Sequence, residues 1–452
     1  MLTYDDLQKL KDNEIERREC VMKAIDEHKE SPLFKIAWDA ELYSKHRNVT
    51  IMRYQKLLYT LSGTAVPDNY TANHKVASNF FDRFITQENQ YLLGNGVILS
   101  KGKNKDKLGK DFDARLQQAG RAALEGGVSF GFWNFNHLEV FKLTEFCPLY
   151  AEETGALMAG IRFWQIDGEK PLRATLYEID GYTEYIKRDG KPIEEFKPKR
   201  TYKLNTSHTP KDGTEILDGE NYPGFPIVPL WGNLHHQSEL VGMREAIDCY
   251  DLIKSGFAND LDDASMIYWV LHNSGGMTEM DMAQFIERMK TVRVASVDTD
   301  SGAGAEAHTM EVPYQAREAY LSRLEKDMYK DFQALDVESL AAGNKTATEI
   351  RAAYQPLDNK VDQYEYCVLD FLQEIFELAG IADVPAFKRS KIINQLEETQ
   401  MVLMAANYLD DKAILERLPW LTQEQVDEIL ARKDSEDANR FNGGGQNEPE
   451  EE

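Results

Sequence analysis

Cysteine is scarce in this chain. Cys20, Cys147, Cys249 and Cys367 are its only four, with no CxxC pair and no histidine spaced for zinc. They read as buried, reduced thiols of a cytosolic product. Long apolar runs are missing too: nothing approaches the roughly 18 residues that a membrane helix requires. The charged N-terminus, MLTYDDLQKLKDNEIERREC, has no apolar core and is not a signal peptide. The expectation is a soluble protein made in the cytoplasm, without membrane contact. Positive charge is in deficit, with 52 Lys and Arg against 77 Asp and Glu and a formal net charge of -25. That argues against tight, non-specific wrapping of nucleic acid, which needs clustered cations to release counterions. A surface past which DNA slides without sticking remains compatible with it, and so does plain solubility.

Catalytic signatures are absent as well. The stretch GNKT at 343–346 lacks the full G-x-x-x-x-G-K-[ST] spacing and a preceding strand, so it is no phosphate loop. Residues 302–307 (GAGAEA) are followed by a strand-like HTMEVP where a dinucleotide turn needs a helix. His235 and His236 beside Ser238 and Glu239 read as a linker at a helix start rather than a triad. Asp260, Asp262 and Asp263 lack the EF-hand pattern and read as a solvated acidic helix end. No constellation supports an enzyme, and no cofactor is implied.

What is present is helical periodicity. At 452 residues, two to four sub-domains are expected. The chain is organised around residues 315–379, read as a helix, a short glycine-bearing loop and a longer helix. Tyr320, Leu324, Met328, Phe332 and Leu335 form one apolar stripe on a segment about 35 Å long. After ESLAAGNK, Thr346 or Thr348 can cap a second helix with Glu349 in its first turn. That helix carries Ile350, Tyr354, Leu357, Val361, Tyr364, Val368, Leu372 and Phe376, with a kink expected before Pro356. Two long helices joined by a small loop suggest a mechanical element.

Elsewhere, Leu7, Leu10, Ile15, Val21 and Ile25 predict one amphipathic helix, and Tyr54, Leu57, Leu58 and Leu61 another apolar turn. From Asn73, HKVASNFFDRFITQENQYLLGNGV predicts a helix ended by Gly94 and Gly96. KGKNKDKLGK reads as a solvated loop, and DFDARLQQAGRAALEGG as a helix with Leu116, Ala123 and Leu124 inside. The period then falls to two. VSFGFWNF, LEVFKLTEF, GIRFWQI, RATLYEI, TEYIKR and TYKLN, with ENYPGFPIVPLWGN, predict an antiparallel β unit over about 128–233. Trp133, Phe163 and Trp164 belong to its core or half-buried face. SELVGMREAIDCYDLIKSGFANDLDDAS is helical again. It is followed by a compact α/β insertion over 266–313: strand MIYWVLHN, helix DMAQFIERMK, strand TVRVASV and the loop DTDSGAGAEAH. A small helical unit with caps at Ser390, Asp410 and Thr422 follows, and the tail DSEDANRFNGGGQNEPEEE is expected to be disordered. The fold class is α+β, mostly helical.

Five stretches in this order resemble the portal proteins of tailed bacteriophages, in the Gp6-like portal family of long-tailed phages. They are HKVASNFFDRFITQENQYLLGNGV, RAALEGGVSFGFWNF, GFPIVPLWGNLHHQSELVGMREAIDCYDLIKSGFANDLDDAS, NKTATEIRAAYQPLDNKVDQYE and ETQMVLMAANYLDDKAILERLPWL. The resemblance covers about 30–433. It implies a wing over 1–237, stem helices over 238–264 and 315–337, and a clip over 265–314. It further implies a tunnel loop over 338–345, a long wing helix over 346–381, a crown over 382–433 and a disordered tail over 434–452. It implies a homo-oligomeric ring of about 12 subunits at one capsid vertex. Double-stranded DNA would pass along the ring axis. Terminase large subunit, a head–tail adaptor protein, scaffold and major capsid protein would be partners. Glu338, Ser339, Leu340, Ala341, Ala342, Gly343, Asn344 and Lys345, with Arg351, become the residues of the DNA channel. Two alternatives compete: another head–tail connector or minor capsid protein without a DNA channel, and a hydrolase with its site in the β unit.

Overall fold

A computed structural model gives the architecture. It describes residues 2–433 apart from 12, 60–62, 69–72, 205–218, 265–267, 273–277, 279, 282, 285–286, 288–303, 309–312, 342–345, 391–401, 417, 419–420 and 422–424, together with residue 435. Two compact units result: Met1–Leu335 with Pro356–Lys388, and Asp336–Gln355 with Arg389–Glu452.

The larger unit is built in four layers. Helix Glu14–Glu30 starts where the Asn13 side chain accepts from the Glu16 N–H, and it buries Cys20, Val21, Ala24, Ile25 and His28 on one face. That face meets Cys147, Leu149, Ile161, Phe163, Ala174 and Leu176 of a five-stranded antiparallel meander, Phe146–Tyr150 through Glu194–Arg200. Alternation along the strands sends the intervening side chains to the other side. There Phe146 meets Phe130 at 4.5 Å between ring centroids, and Tyr177 meets Phe141 at 5.9 Å. Phe130 and Phe141 belong to a second, three-stranded antiparallel sheet in the order Ile227–Trp231, Val128–Asn134, His137–Lys142. Its far face takes helix Phe112–Gly126, whose Ala119 carbonyl accepts from the Ser129 hydroxyl at 2.8 Å. The long helix Ala347–Ala379 lies on the same face, because Gly131 leaves room there for the Phe371 ring.

The expected β unit is therefore two larger sheets and, among the described residues, a two-stranded ribbon in which Lys203–Leu204 pairs with Gly219–Glu220. Strand Phe146–Tyr150 is not among the predicted runs because Pro148 interrupts its pattern, nor is Glu194–Arg200, a charged, irregular edge strand. Trp133 and Phe163 are buried, and Trp164 is half-exposed.

Several boundaries differ from expectation. The N-terminal helix is two helices, Tyr4–Lys9 and Glu14–Glu30, and Ile15 is 69% exposed. The turn expected at Tyr54 to Leu58 holds a strand, Leu57–Tyr59, paired with Ala65–Pro67; Leu61 lies outside the described residues. The loop over 101–110 contains a helix, Gly102–Asp106. The helix expected from Asn73 begins at Phe80, and 73–79 are non-helical. Their backbone bonds side chains of helix Arg244–Ala264 instead. The N–H of His74 donates to Asn259 Oδ1 at 2.7 Å, that of Val76 to Ser255 Oγ at 3.0 Å, and that of Ser78 to Asp251 Oδ1 at 2.9 Å. A helix there would forfeit those acceptors. Asp248 continues the ladder, accepting from the hydroxyls of Tyr43 and Thr50.

Helix Arg244–Ala264 packs beside Tyr314–Asp331, joined by the Arg317 ion pair to Asp260. Between them, Tyr268–His272 pairs antiparallel with Gly304–His308, so part of the expected Gly/Ala loop is a strand. TVRVASV lies outside the described residues. The smaller unit includes 3-10 turn Ala406–Tyr408 and helix Asp411–Glu416, where the Ala413 N–H donates to Asp410 at 3.0 Å as expected of a cap. Thr422 and the tail from 436 lie outside the described residues.

Candidate functional site

The segment singled out by its sequence begins where helix Tyr314–Asp331 stops. The helix is shorter than expected because Gln333 takes a left-handed φ of 60°, which turns the chain. Of the expected stripe, Met328, Phe332 and Leu335 are buried, whereas Tyr320 is 48% exposed. Gln87 fixes the far side of the turn with a pair of bonds. Its Nε2 donates to the Leu335 carbonyl at 3.0 Å, and its Oε1 accepts from the Leu335 N–H at 2.8 Å.

Beyond Leu335 the chain enters the smaller unit. Glu338, Ser339, Leu340 and Ala341 form a short helix, Val337–Ala341, rather than a loop. Asp336 caps it, accepting from the Ser339 N–H at 3.1 Å. Ala342, Gly343, Asn344 and Lys345 lie outside the described residues. Thr346 then forms a capping box with Glu349: its N–H donates to Oε2 at 2.8 Å and its Oγ accepts from the Glu349 N–H at 3.3 Å. Arg351 is exposed in the first turns of the helix, which continues through Pro356 to Ala379.

From Pro356 onward the long helix is held by a polar cluster that lies outside the sequence expectations. Lys360 lies in the stripe of Leu357, Val361 and Tyr364, and Glu88 in the stripe of Phe84 and Tyr91. Lys360 Nζ stands 3.0 Å from Glu88 and 2.8 Å from Glu239, and 3.1 Å from the centroid of Phe332. One cation thus joins helix Phe80–Leu93, the 3-10 turn Glu239–Gly242 and the end of the preceding helix. Burial pushes the Glu88 carboxyl up to about 7; nearby Glu239 adds to this and Lys360 opposes it. The Tyr91 hydroxyl donates to Asp358 at 2.6 Å, and that of Tyr364 to Asn89 at 3.0 Å. A cavity of about 320 Å³ opens beside the cluster. The signal that could have found it is a lone charge of opposite sign on each of two apolar stripes.

Other sequence candidates resolve simply. His236 stacks on Trp231 at 3.9 Å, and Asn233 closes the His235 turn, donating to the Gln237 carbonyl at 2.8 Å. Asp260 pairs with Arg317 and Asp262 with His74. Among the described residues no group of His, Cys, Asp or Glu is arranged to hold a metal, and no helix is long and apolar enough to cross a membrane. Cys20 and Cys147 are buried, while Cys249 and Cys367 are partly exposed.

The profile of the family described as "Phage portal protein, SPP1 Gp6-like" matches residues 23–439. This chain belongs to that phage portal family. It is similar to the portal protein of Clostridium phage phiCD119, with 23% identity over 411 residues, 82% of this chain and 88% of that one. It is equally similar to the portal protein of Bacillus phage SPP1, with 23% identity over 454 residues, 92% of this chain and 86% of that one. Among solved structures, a neck of an empty GTA particle aligns with a TM-score of 0.41 and 12% identity over 74% of this chain and 88% of that one, a distant likeness. Portal-family membership thus bears out the resemblance carried by the five stretches, and with it the α+β, mostly helical portal architecture.

Proposed function

We propose that this portal-family chain assembles into a ring of about 12 copies at one capsid vertex. Its channel passes double-stranded DNA into the head during packaging and out of it during ejection. The family match over 23–439 carries this reading. The net charge of -25 fits it, because a wall poor in cations lets phosphate slide past without counterion release. In this reading 1–237 is the wing, 238–264 and 315–337 the stem, 265–314 the clip, 346–381 the long wing helix and 382–433 the crown. Terminase large subunit, which hydrolyses the ATP, docks on the clip during packaging, and the head–tail adaptor protein afterwards. Scaffold and major capsid protein surround the wing. The ring assembles in the bacterial cytoplasm and ends in the virion, and the portal itself performs no catalysis.

Residues 338–345 reach the DNA in this proposal, and Lys345 and Arg351 supply sparse positive rings. The anchoring of Leu335 by Gln87 and of the long helix by Lys360 supports it. A segment fixed at both ends can change position without disturbing the body. Deleting 340–343 is expected to leave ring formation intact and to abolish packaging or retention of DNA in an infection complementation assay. Unchanged packaging and retention would remove the loop from the mechanism.

A further inference from the structure

The larger unit carries two complementary outer faces. One is a groove of about 730 Å³ beside helix Glu14–Glu30, with Phe163 in its lining. Phe34 and Trp38 stack there with centroids 6.4 Å apart, and Trp164 lies in the wall. Trp38 is 52% and Trp164 38% exposed, an unusual amount of aromatic surface to leave in water. The groove is also basic, on a chain that is otherwise strongly acidic. Lys29 lies over the Phe163 ring at 5.2 Å and Arg53 shares the lining, while Lys35, also there, is paired with Glu30 at 2.6 Å. Of its two acids, Asp39 is held by Arg244 at 2.9 Å and Glu145 is exposed.

The other face is the outer side of the long helix. Tyr366, Asp370, Gln373 and Glu377 recur at intervals of four, three and four residues, so they share one stripe, with Glu374 beside it. All five are exposed, and Tyr366 is 65% so. Residues 361–379 contain no Lys or Arg. Asp370, Glu374 and Glu377 have no cationic partner among the described residues, and the Glu374 carboxyl is pushed up by the partial desolvation of its base on the helix and by Glu377 and Asp370. Like charges gathered on one stripe cost free energy unless something positive covers them.

The two faces are carried by different elements of the one body. Phe163 points toward helix Glu14–Glu30, whereas Phe371 of the long helix packs at Gly131 beyond both sheets. One chain cannot bring its own strip to its own groove, but a neighbouring copy can. Two different patches make a head-to-tail contact, the kind that closes into a ring. Two copies each carrying a net charge of -25 also repel, so a contact of opposite sign is where they approach most readily.

We propose that the acidic strip of one subunit, with Tyr366 at its head, seats in the Trp38 and Trp164 groove of the next, facing Lys29 and Arg53. The proposal rests on the portal reading, which supplies the ring. Three full-length variants test it by native mass and by the fraction assembled: Glu374→Lys with Glu377→Lys, Lys29→Glu with Arg53→Glu, and all four together. Each reversed pair is expected to lower the assembled fraction at least tenfold at fixed concentration, and the combined variant to restore it. Melting temperatures of the unassembled subunits separate misfolding from lost contact. A cysteine pair, Trp38→Cys with Tyr366→Cys, gives a second reading: oxidation should yield a ladder of linked subunits that neither single variant gives. Rings that persist in the reversed pairs, a combined variant that folds without reassembling, or rings of the cysteine pair that do not cross-link would each overturn the contact while leaving the portal reading standing. A native chain that assembles under no condition would overturn both.

Discussion

Replacing Lys360 by methionine is expected to lower the melting temperature of the subunit by roughly 5–10 °C. Methionine keeps the length of the side chain and removes the charge. Glu88 is then left without its cation in a site where only 2% of its side chain reaches solvent, and Glu239 loses a partner at 2.8 Å. Breaking a buried pair from one side costs about 3–5 kcal/mol, because the remaining carboxylate must stay desolvated or take up a proton. The double variant with Glu88→Gln should recover part of the loss, since the stranded carboxylate is gone. Glu88→Gln alone tests the titration. Glu88 is harder to ionise folded than unfolded, with the folded value near 7 against an ordinary 4.5. Its contribution to stability is therefore fully present below pH 4.5 and is lost as pH rises through about 7. Thermal melts from pH 4 to 8 should show that decline in the native chain and a flatter profile in Glu88→Gln. Parallel profiles would mean that the carboxyl titrates normally.

Asp251→Ala is expected to cost about 2–4 kcal/mol. Asp251 is fully buried in helix Arg244–Ala264 and accepts from the Asn48 side chain and the Ser78 N–H. Alanine leaves the Ser78 N–H buried without an acceptor and the Asn48 amide with only the Ser78 carbonyl at 3.2 Å, and each partner lost in this way costs about 1–3 kcal/mol. The loss should also be local. Amides of His74, Val76 and Ser78 are held by three successive side chains of that helix, so removing the lowest rung should speed hydrogen exchange at Ser78 first. Exchange that rises equally throughout the unit would instead indicate general destabilisation. Burial raises the Asp251 pKa above the ordinary range, so the site tolerates a neutral acceptor, and Asp251→Asn should be milder than alanine.

The sequence was most legible where one face of an element is buried and periodicity alone sets its type. Of the predicted stripe Ile350, Tyr354, Leu357, Val361, Tyr364, Val368, Leu372 and Phe376, all are buried except Ile350, which is half-buried. The strands of the two sheets followed from alternation except where Pro148 or a run of charges hid it. It was least legible where a side chain from a distant element supplies the backbone's partner. Residues 73–79 carry helical spacing, yet the chain trades its internal bonds for Asp251, Ser255 and Asn259, about 180 residues away. In the same way Gln333 gives no sign of the left-handed turn that ends its helix, because the bonds of Gln87 to Leu335 come from elsewhere. Within the candidate segment, the cap falls on Thr346, one of the two threonines the spacing allows, with Glu349 closing the box, whereas helix Val337–Ala341 reads as loop because a single capped turn leaves no period to detect.

Copies of this chain are expected to close into a ring around a hole. Purified full-length protein, imaged by negative-stain electron microscopy alongside its native mass with and without scaffold, tests this most directly. The expected result is a population of rings of about 12 subunits with an open axial channel. A closed globular dimer that persists at high concentration with scaffold present would contradict the account.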